Sequence, residues 1–467
     1  MKRAYWLLAG VMLAGGSAAP LYSANAETLE DVLATAYNSN PTLMARRAEL
    51  RATDEGVPQA TAGWRPTVTL TGDVGRGVYT NSVFGLSAPY QGTPRDYSLT
   101  VSEPLFRGGR TVAATEQAQA GVMAGRAVLD ATEQTVLLNA ATTYLNVVRD
   151  EAVLKLSINN EQVLRRQLEA TQERFRVGEV TRTDVSQAEA RLSQATAERV
   201  AAEGSLQNSR AAFINVVGRA PESPQPLKQE PQLPKTFDAV RDQTLAHNPN
   251  VVAADWTAKA AKNGIDLVFG ELLPTVALTG TVSRMLAEQL PNNFGGIGTE
   301  TTAEQAMVTL TIPLYEAGLS YSRVRAQKHT YGQRLIEADQ TRRDALQGAN
   351  QSWENLQSAR ARVASYTAQI AANELALTGV EEEAKVGSRT VLDILNAEQE
   401  LFTSRVSLVT AQRDEMVAAF QLRSALGQLT AEALQLPVDV YDPRKHYDDV
   451  RDKFIGTGID KAPGYEQ

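Results

Sequence analysis

The chain has 467 residues, no cysteine and a formal net charge of −8 at pH 7. The lack of cysteine excludes disulfides, thiolate metal sites and a cysteine nucleophile. The acidic balance argues against a nucleic-acid partner, because nucleic-acid binding needs a basic face.

Residues 1–26 have the pattern of a secretory signal peptide. Lys2 and Arg3 form a basic start, residues 6–19 are apolar, and Ala-Asn-Ala at 24–26 is typical of a cleavage site. The mature chain is therefore expected to begin at Glu27. Removing Lys2 and Arg3 leaves 44 basic against 54 acidic residues, so its net charge is about −10 (44 − 54). The alternative is an uncleaved anchor, for which the apolar run is short.

Residues 27–220 form the first of two predicted structural repeats. A helical stretch is interrupted by Asn40 and Pro41, and residues 67–103 then change to the alternating pattern of a β-hairpin. A loop rich in Gly, Ser and Pro, roughly residues 81–95, is expected to connect its strands. One face would carry Val68, Leu70, Val74, Leu99 and Val101. A soluble sandwich shows the same alternation, so the pattern leaves the environment of the hairpin open.

Residues 107–218 are predicted to form a very long helical hairpin. One arm, residues 110–176, would have about 65 residues and a length on the order of 100 Å. Gly178 supplies the left-handed turn between the arms, and Thr or Asp a few residues later can cap the returning helix. Helices of this length are typical of coiled coils. A linker with five prolines follows at residues 221–235.

The same order of elements restarts after the linker. Residues 236–430 contain another Asn-Pro break, a predicted β-hairpin at 275–312 and a predicted long helical hairpin at 316–428. The turn glycine Gly387 follows Gly178 at an offset of 387 − 178 = 209 residues. Other landmarks repeat at this offset or within one residue of it, which predicts an internally duplicated chain.

The sequence shows no pattern for catalysis, for a cofactor or for a metal site. Gly72, Gly75 and Gly77 resemble a dinucleotide fingerprint, but they lie in a predicted strand and no helix begins after them. The three histidines are scattered without ligand spacing, and no nucleophile elbow occurs. We therefore predict that the protein is not an enzyme.

Four strands per chain cannot close a sheet, and an open sheet edge is not tolerated in lipid, so transmembrane strands would have to be shared between chains. The two halves share the Asn-Pro pairs at 40–41 and 248–249, the segments at 104–106 and 313–315, and above all the turn sequences VGEVTRTD at 177–184 and VGSRTVLDIL at 386–395. With these residues, the predicted order of elements resembles the TolC family of outer-membrane efflux and secretion channels.

The resemblance implies an α+β membrane protein that functions as a homotrimer. Each chain would contribute four transmembrane β-strands to one twelve-stranded β-barrel, and the long helices would form a periplasmic coiled-coil tunnel. The protein would lie in the cell outer membrane, in contact with its lipid. A periplasmic adaptor and an inner-membrane ABC transporter or proton-driven pump would recruit it. Residues 431–467, expected to be a partly ordered tail, look like the branch of the family that is paired with type I secretion.

The resemblance implies a gate at the periplasmic tip of the tunnel. The arginine of the second inter-helix turn matches Arg389, and its acceptor positions in the first turn, on another chain, match Thr183 and Asp184. An arginine–carboxylate pair could restrain the tip and still be broken. The alternative is that Arg389 only caps or solvates its turn. The tip tyrosine usual in the family falls at Ala384, so one part of the lock is missing.

The resemblance also implies a pore constriction lined by two acidic positions one helical turn apart. The first position matches Asp393, whereas the second is Asn396 and departs from the pattern. A trimer would then place three carboxylates in one ring. The competing role for Asp393 is a favourable negative charge at the start of a helix.

The implied function is the passive exit duct of a tripartite type I secretion or multidrug efflux system, which would export proteins or small toxic molecules. Two alternatives are a periplasmic adaptor protein and a soluble coiled-coil scaffold. An adaptor normally has one helical hairpin within flanking β-domains, whereas this chain has two hairpins after two pairs of strands. The duct must be an integral outer-membrane protein, so cell fractionation would separate these functions.

Overall fold

The computed structural model describes residues 27–83, 86–225, 231–287 and 299–459, and the predicted signal peptide lies outside them. The first half of the chain contains helices α1 to α3, strands β1 to β4 and the long helices α4 and α5. In chain order these are Leu29–Ser39, Pro41–Asp54, Gly56–Thr61, Thr67–Val74, Gly77–Val83, Leu86–Gly92, Arg95–Arg107, Arg110–Arg176 and Arg182–Val217.

Within the residues that the structure describes, the second half repeats this order with one β-hairpin. It contains α6, α7, β5, β6, α8, α9 and a further helix, α10, at Phe237–His247, Pro249–Phe269, Thr275–Ala287, Thr299–Thr311, Leu319–Lys385, Val391–Ala425 and Pro443–Val450. Short 3₁₀ turns at Ala62–Trp64 and Gly270–Leu272 join the helices to β1 and β5. The fold is thus a duplicated arrangement of long helices and a sheet.

The two Asn-Pro breaks are helix starts that also tie distant helices together. The Oδ1 atoms of Asn40 and Asn248 each accept a hydrogen bond from the backbone amide two residues later at 3.0 Å, and proline occupies the first helical position. The Nδ2 atom of Asn40 donates to the carbonyl of Val216 at 2.9 Å, and that of Asn248 donates to Ala425 at 3.0 Å. Each asparagine therefore joins the start of α2 or α7 to the end of α5 or α9.

Four strands form one antiparallel sheet in the order β1-β4-β5-β6. Leu70 is paired with Leu99, and Leu99 with Val282, so these side chains lie on one face. The register confirms the apolar face predicted for the first hairpin. The second hairpin adds Leu278 opposite Val308 to the same face. This face is exposed in the single chain. The most exposed of its large apolar side chains are Val68, Leu70, Val74 and Val308, at 66%, 76%, 73% and 66%.

The expectation of a loop at roughly residues 81–95 is wrong, because strands at Gly77–Val83 and Leu86–Gly92 occupy most of it. Strands β2 and β3 form a separate two-stranded antiparallel sheet in which Gly77 is paired with Gly92. Glycine, serine and proline indicated a loop, but an antiparallel hairpin tolerates them because its backbone hydrogen bonds are satisfied between its own two strands. The first β-hairpin therefore carries an extension that the second does not share within the described residues.

The largest hydrophobic core lies in the first half, where α1, α4 and α5 meet α9 and the C-terminal segment. Its bulkiest fully buried members are Tyr37, Tyr144 and Phe213. The phenolic oxygen of Tyr144 donates to a carbonyl, that of Gln225, at 2.8 Å, so its polar atom is satisfied inside the core. A smaller cluster around Val240 forms in the second half.

The C-terminal tail includes a helix that the sequence pattern did not indicate. Helix α10 packs against α2, and His446 Nδ1 lies 3.1 Å from Oδ2 of the buried Asp54. The backbone amide of Tyr441 donates to the hydroxyl of Tyr37 at 3.0 Å. The tail thus adds buried contacts to the first half of the chain, whereas residues 460–467 lie outside the described residues.

Two features that would bear on function are absent from the described residues. None of the helices found there combines the length and the apolar character needed to cross a bilayer. No group of three or more His, Asp or Glu side chains in that part of the chain is placed to hold a metal ion.

Candidate functional site

The first tip turn, residues 177–181, reverses the chain between α4 and α5. Gly178 has a φ of +83°, which only glycine adopts without strain. Its amide donates to the carbonyl of Phe175 at 3.0 Å, and the amide of Glu179 donates to the carbonyl of Arg174 at 2.9 Å. This is the Schellman arrangement, which satisfies the last carbonyls of a helix.

The second tip turn, residues 386–390, has the same construction between α8 and α9. Gly387 has a φ of +82°, and its amide donates to the carbonyl of Ala384 at 3.1 Å. The amide of Ser388 donates to the carbonyl of Glu383 at 3.0 Å. A Cβ atom at either glycine would meet no atom within 4 Å, so the backbone conformation and not the space selects glycine.

Both returning helices begin with a capping box. The carboxylate of Asp184 accepts hydrogen bonds from the Thr181 amide and hydroxyl, each at 2.8 Å, and the Asp184 amide donates back to the hydroxyl at 3.3 Å. Thr390 and Asp393 repeat this arrangement with 2.9, 2.8 and 3.3 Å. The helix-starting role that competed with the pore ring for Asp393 is therefore present in the structure.

The capping box also affects the charge of Asp393. The hydrogen bond from the Thr390 amide, then that from its hydroxyl, lower the pKa of the Asp393 carboxyl, and the nearby Arg389 adds to this effect. In the single chain the Asp393 carboxyl is therefore ionised at neutral pH. Whether it lines a constriction depends on neighbouring chains, so the ring remains a prediction.

Arg389 has a partner in its own chain, at the end of α8, that sequence analysis missed. Its Nε donates to Oε2 of Glu383 at 2.8 Å, and both side chains are about half-exposed. This hydrogen bond and the charge of Glu383 raise the pKa of Arg389. The predicted partners, Thr183 and Asp184, belong to another chain, so the single chain does not test that link. Glu383 lies six residues before Arg389, and the turn brings them together.

Asn396 also has an unexpected partner. Its Oδ1 accepts a hydrogen bond from Nη2 of Arg191 on α5 at 2.9 Å, which joins the first helical hairpin to the second. The same two helices also share an apolar cluster, in which Ala188 and Ala195 of α5 pack with Val391 and Leu395 of α9. The position that lacks the acid of the family pattern is thus occupied by an amide held beside a guanidinium. A contact across 205 residues cannot be read from local spacing.

Glu398 is a further acidic residue near the tip. Burial raises the pKa of its carboxyl, and repulsion from Glu381 adds to this, whereas Arg405 and Arg166 act in the opposite direction. Glu398 lies where α4 and α9 meet, in a small cavity that also includes Asn160. The sequence marks this position, because Ala397 and Glu398 repeat the pair Ala188 and Glu189 of the first half.

The chain is similar to outer membrane channel proteins over nearly its whole length. The family model described as outer membrane efflux protein matches residues 32–219 and again 240–428. The outer membrane efflux protein BepC of Brucella suis biovar 1 (strain 1330) is 34% identical over 452 residues, with 96% of each chain covered. The outer membrane protein TolC of Escherichia coli (strain K12) is 24% identical over 447 residues, which cover 93% of this chain and 88% of that protein.

The solved structures show the same fold. The outer membrane protein VceC from Vibrio cholerae superposes with a TM-score of 0.73 at 20% identity, covering 85% of this chain and 96% of that one. The two segments matched by the family model fall on the two halves of the duplicated chain, and each includes one tip turn. The tip turns are therefore parts of the shared architecture.

Proposed function

This chain belongs to the outer membrane efflux protein family, and we propose that three copies of it enclose a single export duct. The protein is an outer-membrane exit duct for type I secretion or efflux, with a tunnel that extends into the periplasm. Channels of this family work with periplasmic adaptors and inner-membrane transporters, and a trimer is typical of them. This membership decides against the adaptor and scaffold alternatives.

The observation that carries the trimer is the open four-stranded sheet. Strands β1 and β6 are its edges, and one of its faces is apolar and exposed. An unpaired edge is costly in lipid because its N–H and C=O groups have no water to bind. Three copies would pair β6 of one chain with β1 of the next, and the resulting sheet of 3 × 4 strands would have no edge left.

We propose that the duct is passive and that other proteins supply the energy. The family is one of channel-tunnels, and its members work with inner-membrane transporters. The proposed partners are a periplasmic adaptor and an inner-membrane ABC transporter or proton-driven pump, together with outer-membrane lipid around the sheet.

The tip turns are the proposed gate. Arg389 of one chain would pair with Thr183 and Asp184 of the next. Glu383 of its own chain, at the end of α8, would compete for it. Asp393 and Asn396 would face the constriction, where three Asp393 carboxylates form an acidic ring. Support comes from the left-handed glycines and capping boxes, which hold each turn in one defined conformation.

We propose a matching division of the chain. Residues 27–220 and 236–430 would be the two structural repeats, with the linker at 221–235 between them and the tail at 431–467 after them. Residues 1–26 would be removed as a signal peptide. The asparagine ties from α2 to α5 and from α7 to α9 support this division, because each lies within one proposed repeat.

Native mass measurement of the purified protein in detergent, followed by single-channel recording in planar bilayers, tests the proposal. We expect a trimer and one conductance per trimer, because four strands cannot close on themselves. A stable monomer that conducts ions would be incompatible with a duct shared between chains.

A further inference from the structure

We propose that the C-terminal segment, residues 453–459, is an anchor that lies in the lipid headgroup region on the periplasmic side of the outer membrane. This inference rests on the proposed function, because it needs the apolar face of the sheet to be in lipid. Nothing in the sequence pattern assigned a role to this segment.

The segment is attached at the base of the sheet. Nη1 of Arg65 donates to the carbonyl of Lys453 at 2.8 Å, and the Arg65 guanidinium carbon lies 3.9 Å from the centre of the Phe454 ring. Arg65 comes two residues before Thr67, the first residue of β1. The segment is therefore fixed at the level where the helical body ends and the strands begin.

The segment is folded into a small loop. The Nζ atom of Lys453 donates to the carbonyl of Gly458 at 2.9 Å and closes the loop. Gly456 has a φ of +115°, in the region that favours glycine, so the reversal of the chain is built into the sequence. The amide of Lys453 also donates to the carbonyl of Val450, which joins the loop to the end of α10.

The loop presents apolar side chains outwards. Phe454, Ile455 and Ile459 are 72%, 91% and 78% exposed, although residues of these types are usually buried. Trp64, at the same level beside Arg65, is 44% exposed. A cluster of exposed large apolar side chains marks a contact surface.

A lipid surface fits this cluster better than a protein surface does. Aromatic side chains are enriched where a membrane protein leaves the bilayer, and apolar side chains next to cations are typical of segments that lie in the interface. Arg65 and Lys453 provide cations that suit anionic headgroups. Of the acidic side chains before the loop, Asp448 and Asp452 are both paired with Arg451, at 3.5 and 3.1 Å.

The depth of the loop in the membrane can be measured with spin labels on single introduced cysteines, because the full chain has no native cysteine. The test variants are Ile455→Cys and Ile459→Cys. Leu70→Cys on the apolar sheet face is the lipid control, and Val386→Cys, which is 80% exposed at the second tip turn, is the water control. Each labelled protein is reconstituted alone into vesicles of phosphatidylethanolamine and phosphatidylglycerol, and the collision rates with oxygen and with a nickel chelate are compared.

We expect the ratio of oxygen to nickel collisions at 455 and 459 to exceed that at 386 several-fold and to approach that at 70. A second variant, Arg65→Gln, should lower the ratio at 455 and leave it unchanged at 70. A ratio at 455 and 459 equal to that at 386, with position 70 in lipid, overturns the anchor and leaves the proposed function intact. Exclusion of both reagents at 455 and 459 shows burial against protein and also overturns it. Water-like ratios at position 70 overturn the membrane face of the sheet and the anchor together.

Discussion

The long helices α4 and α8 occupy equivalent places in the two halves, but they differ strongly in burial. Each has 67 residues, of which 20 are buried in α4 and 7 in α8. α4 packs against both α2 and α7 in addition to α5, whereas the main neighbours of α8 among the described helices are α6, α7 and α9. One side of α8 therefore lacks the partner that α4 has.

The duplication indicates what that partner is. α7 is the counterpart of α2, because each begins at an Asn-Pro pair and follows the first helix of its half. The counterpart of the α4–α7 contact is therefore a contact between α8 and an α2. Within one chain α2 is already packed against α4. We propose that the missing partner is α2 of the next copy, which is a head-to-tail contact that generates a ring if the rotation closes. The open strand edges support the same proposal.

The two tip turns differ in charge and not in backbone. Arg174, at the end of α4, pairs with Glu179 of the first tip turn at 3.2 Å. The equivalent residue at the end of α8 is Glu383 (383 − 174 = 209), which pairs with Arg389 of the second tip turn at 2.8 Å. The order of the charges along the chain is therefore reversed between the turns. The glycines and the capping boxes determine the backbone conformation, which is the same in both turns. The charged side chains distinguish one turn from the other.

The largest effect is expected from charge on the shared apolar face. Leu70→Arg and Leu278→Arg, at equivalent positions of the two halves, should each cost roughly 2–4 kcal/mol if the position is at mid-bilayer. Thr71→Arg and Thr279→Arg, one residue along on the opposite face, are the matched controls. The amount of heat-stable trimer in isolated outer membranes measures the effect. Equal loss in the leucine and threonine variants would contradict a lipid-facing side.

The next effect tests the difference between α4 and α8. Ile336 on α8 is 73% exposed, whereas the equivalent Ala127 on α4 is 4% exposed (336 − 127 = 209). If the next chain covers Ile336, Ile336→Asp should lose about 1.5–3 kcal/mol of burial at each interface. The trimer should then dissociate at higher protein concentration, while circular dichroism of the helices stays unchanged.

Ala127→Asp is the matched variant for this test. It places a carboxylate inside the chain and should lower the thermal stability of the protein itself. Ile336→Val, which keeps the side chain apolar, should leave assembly nearly unchanged. A trimer of Ile336→Asp with the affinity of the wild type would show that Ile336 faces solvent.

The elements with a strong local signal were predictable from the sequence. The alternation of Val68, Leu70, Leu99 and Val101 predicted the shared face, because the strand period of two does not depend on distant contacts. Gly178 and Gly387 marked the tip turns for a similar reason, since a left-handed residue after a helix is a local requirement.

The features that sequence analysis missed depend on contacts between distant residues. His446 beside Asp54 connects positions 392 residues apart, and Arg191 beside Asn396 connects positions 205 apart. The β2–β3 hairpin was missed because its residues are typical of loops and pair only with one another. The link from Arg389 to Thr183 and Asp184 depends on neighbouring chains, so it stays a prediction.

A smaller effect is expected from the capping boxes. Thr181→Ala and Thr390→Ala should each destabilise the first turn of the returning helix by about 1 kcal/mol. Because the two boxes have nearly the same geometry, we expect the two losses to be equal. Ser186→Ala, which removes an exposed hydroxyl from α5 outside the capping box and the proposed gate, is the control. Amide hydrogen exchange at the start of α5 and α9 measures local opening, and a loss confined to one turn would show that the turns are not equivalent.

Substitutions of the charged residues at the two tip turns should have the smallest effect on stability and the most specific effect on function. Arg389 is exposed, so its pair with Glu383 contributes little to folding. If Arg389 also restrains the tip through the next chain, Arg389→Ser should raise single-channel conductance. Glu383→Gln should lower it, because Arg389 then loses its competing partner. Arg174→Ser removes the equivalent pair of the first turn and should leave conductance unchanged. If Arg389→Ser and Arg174→Ser behave alike in inserted channels, Arg389 only caps its turn, and the reversal of charge has no role in the gate.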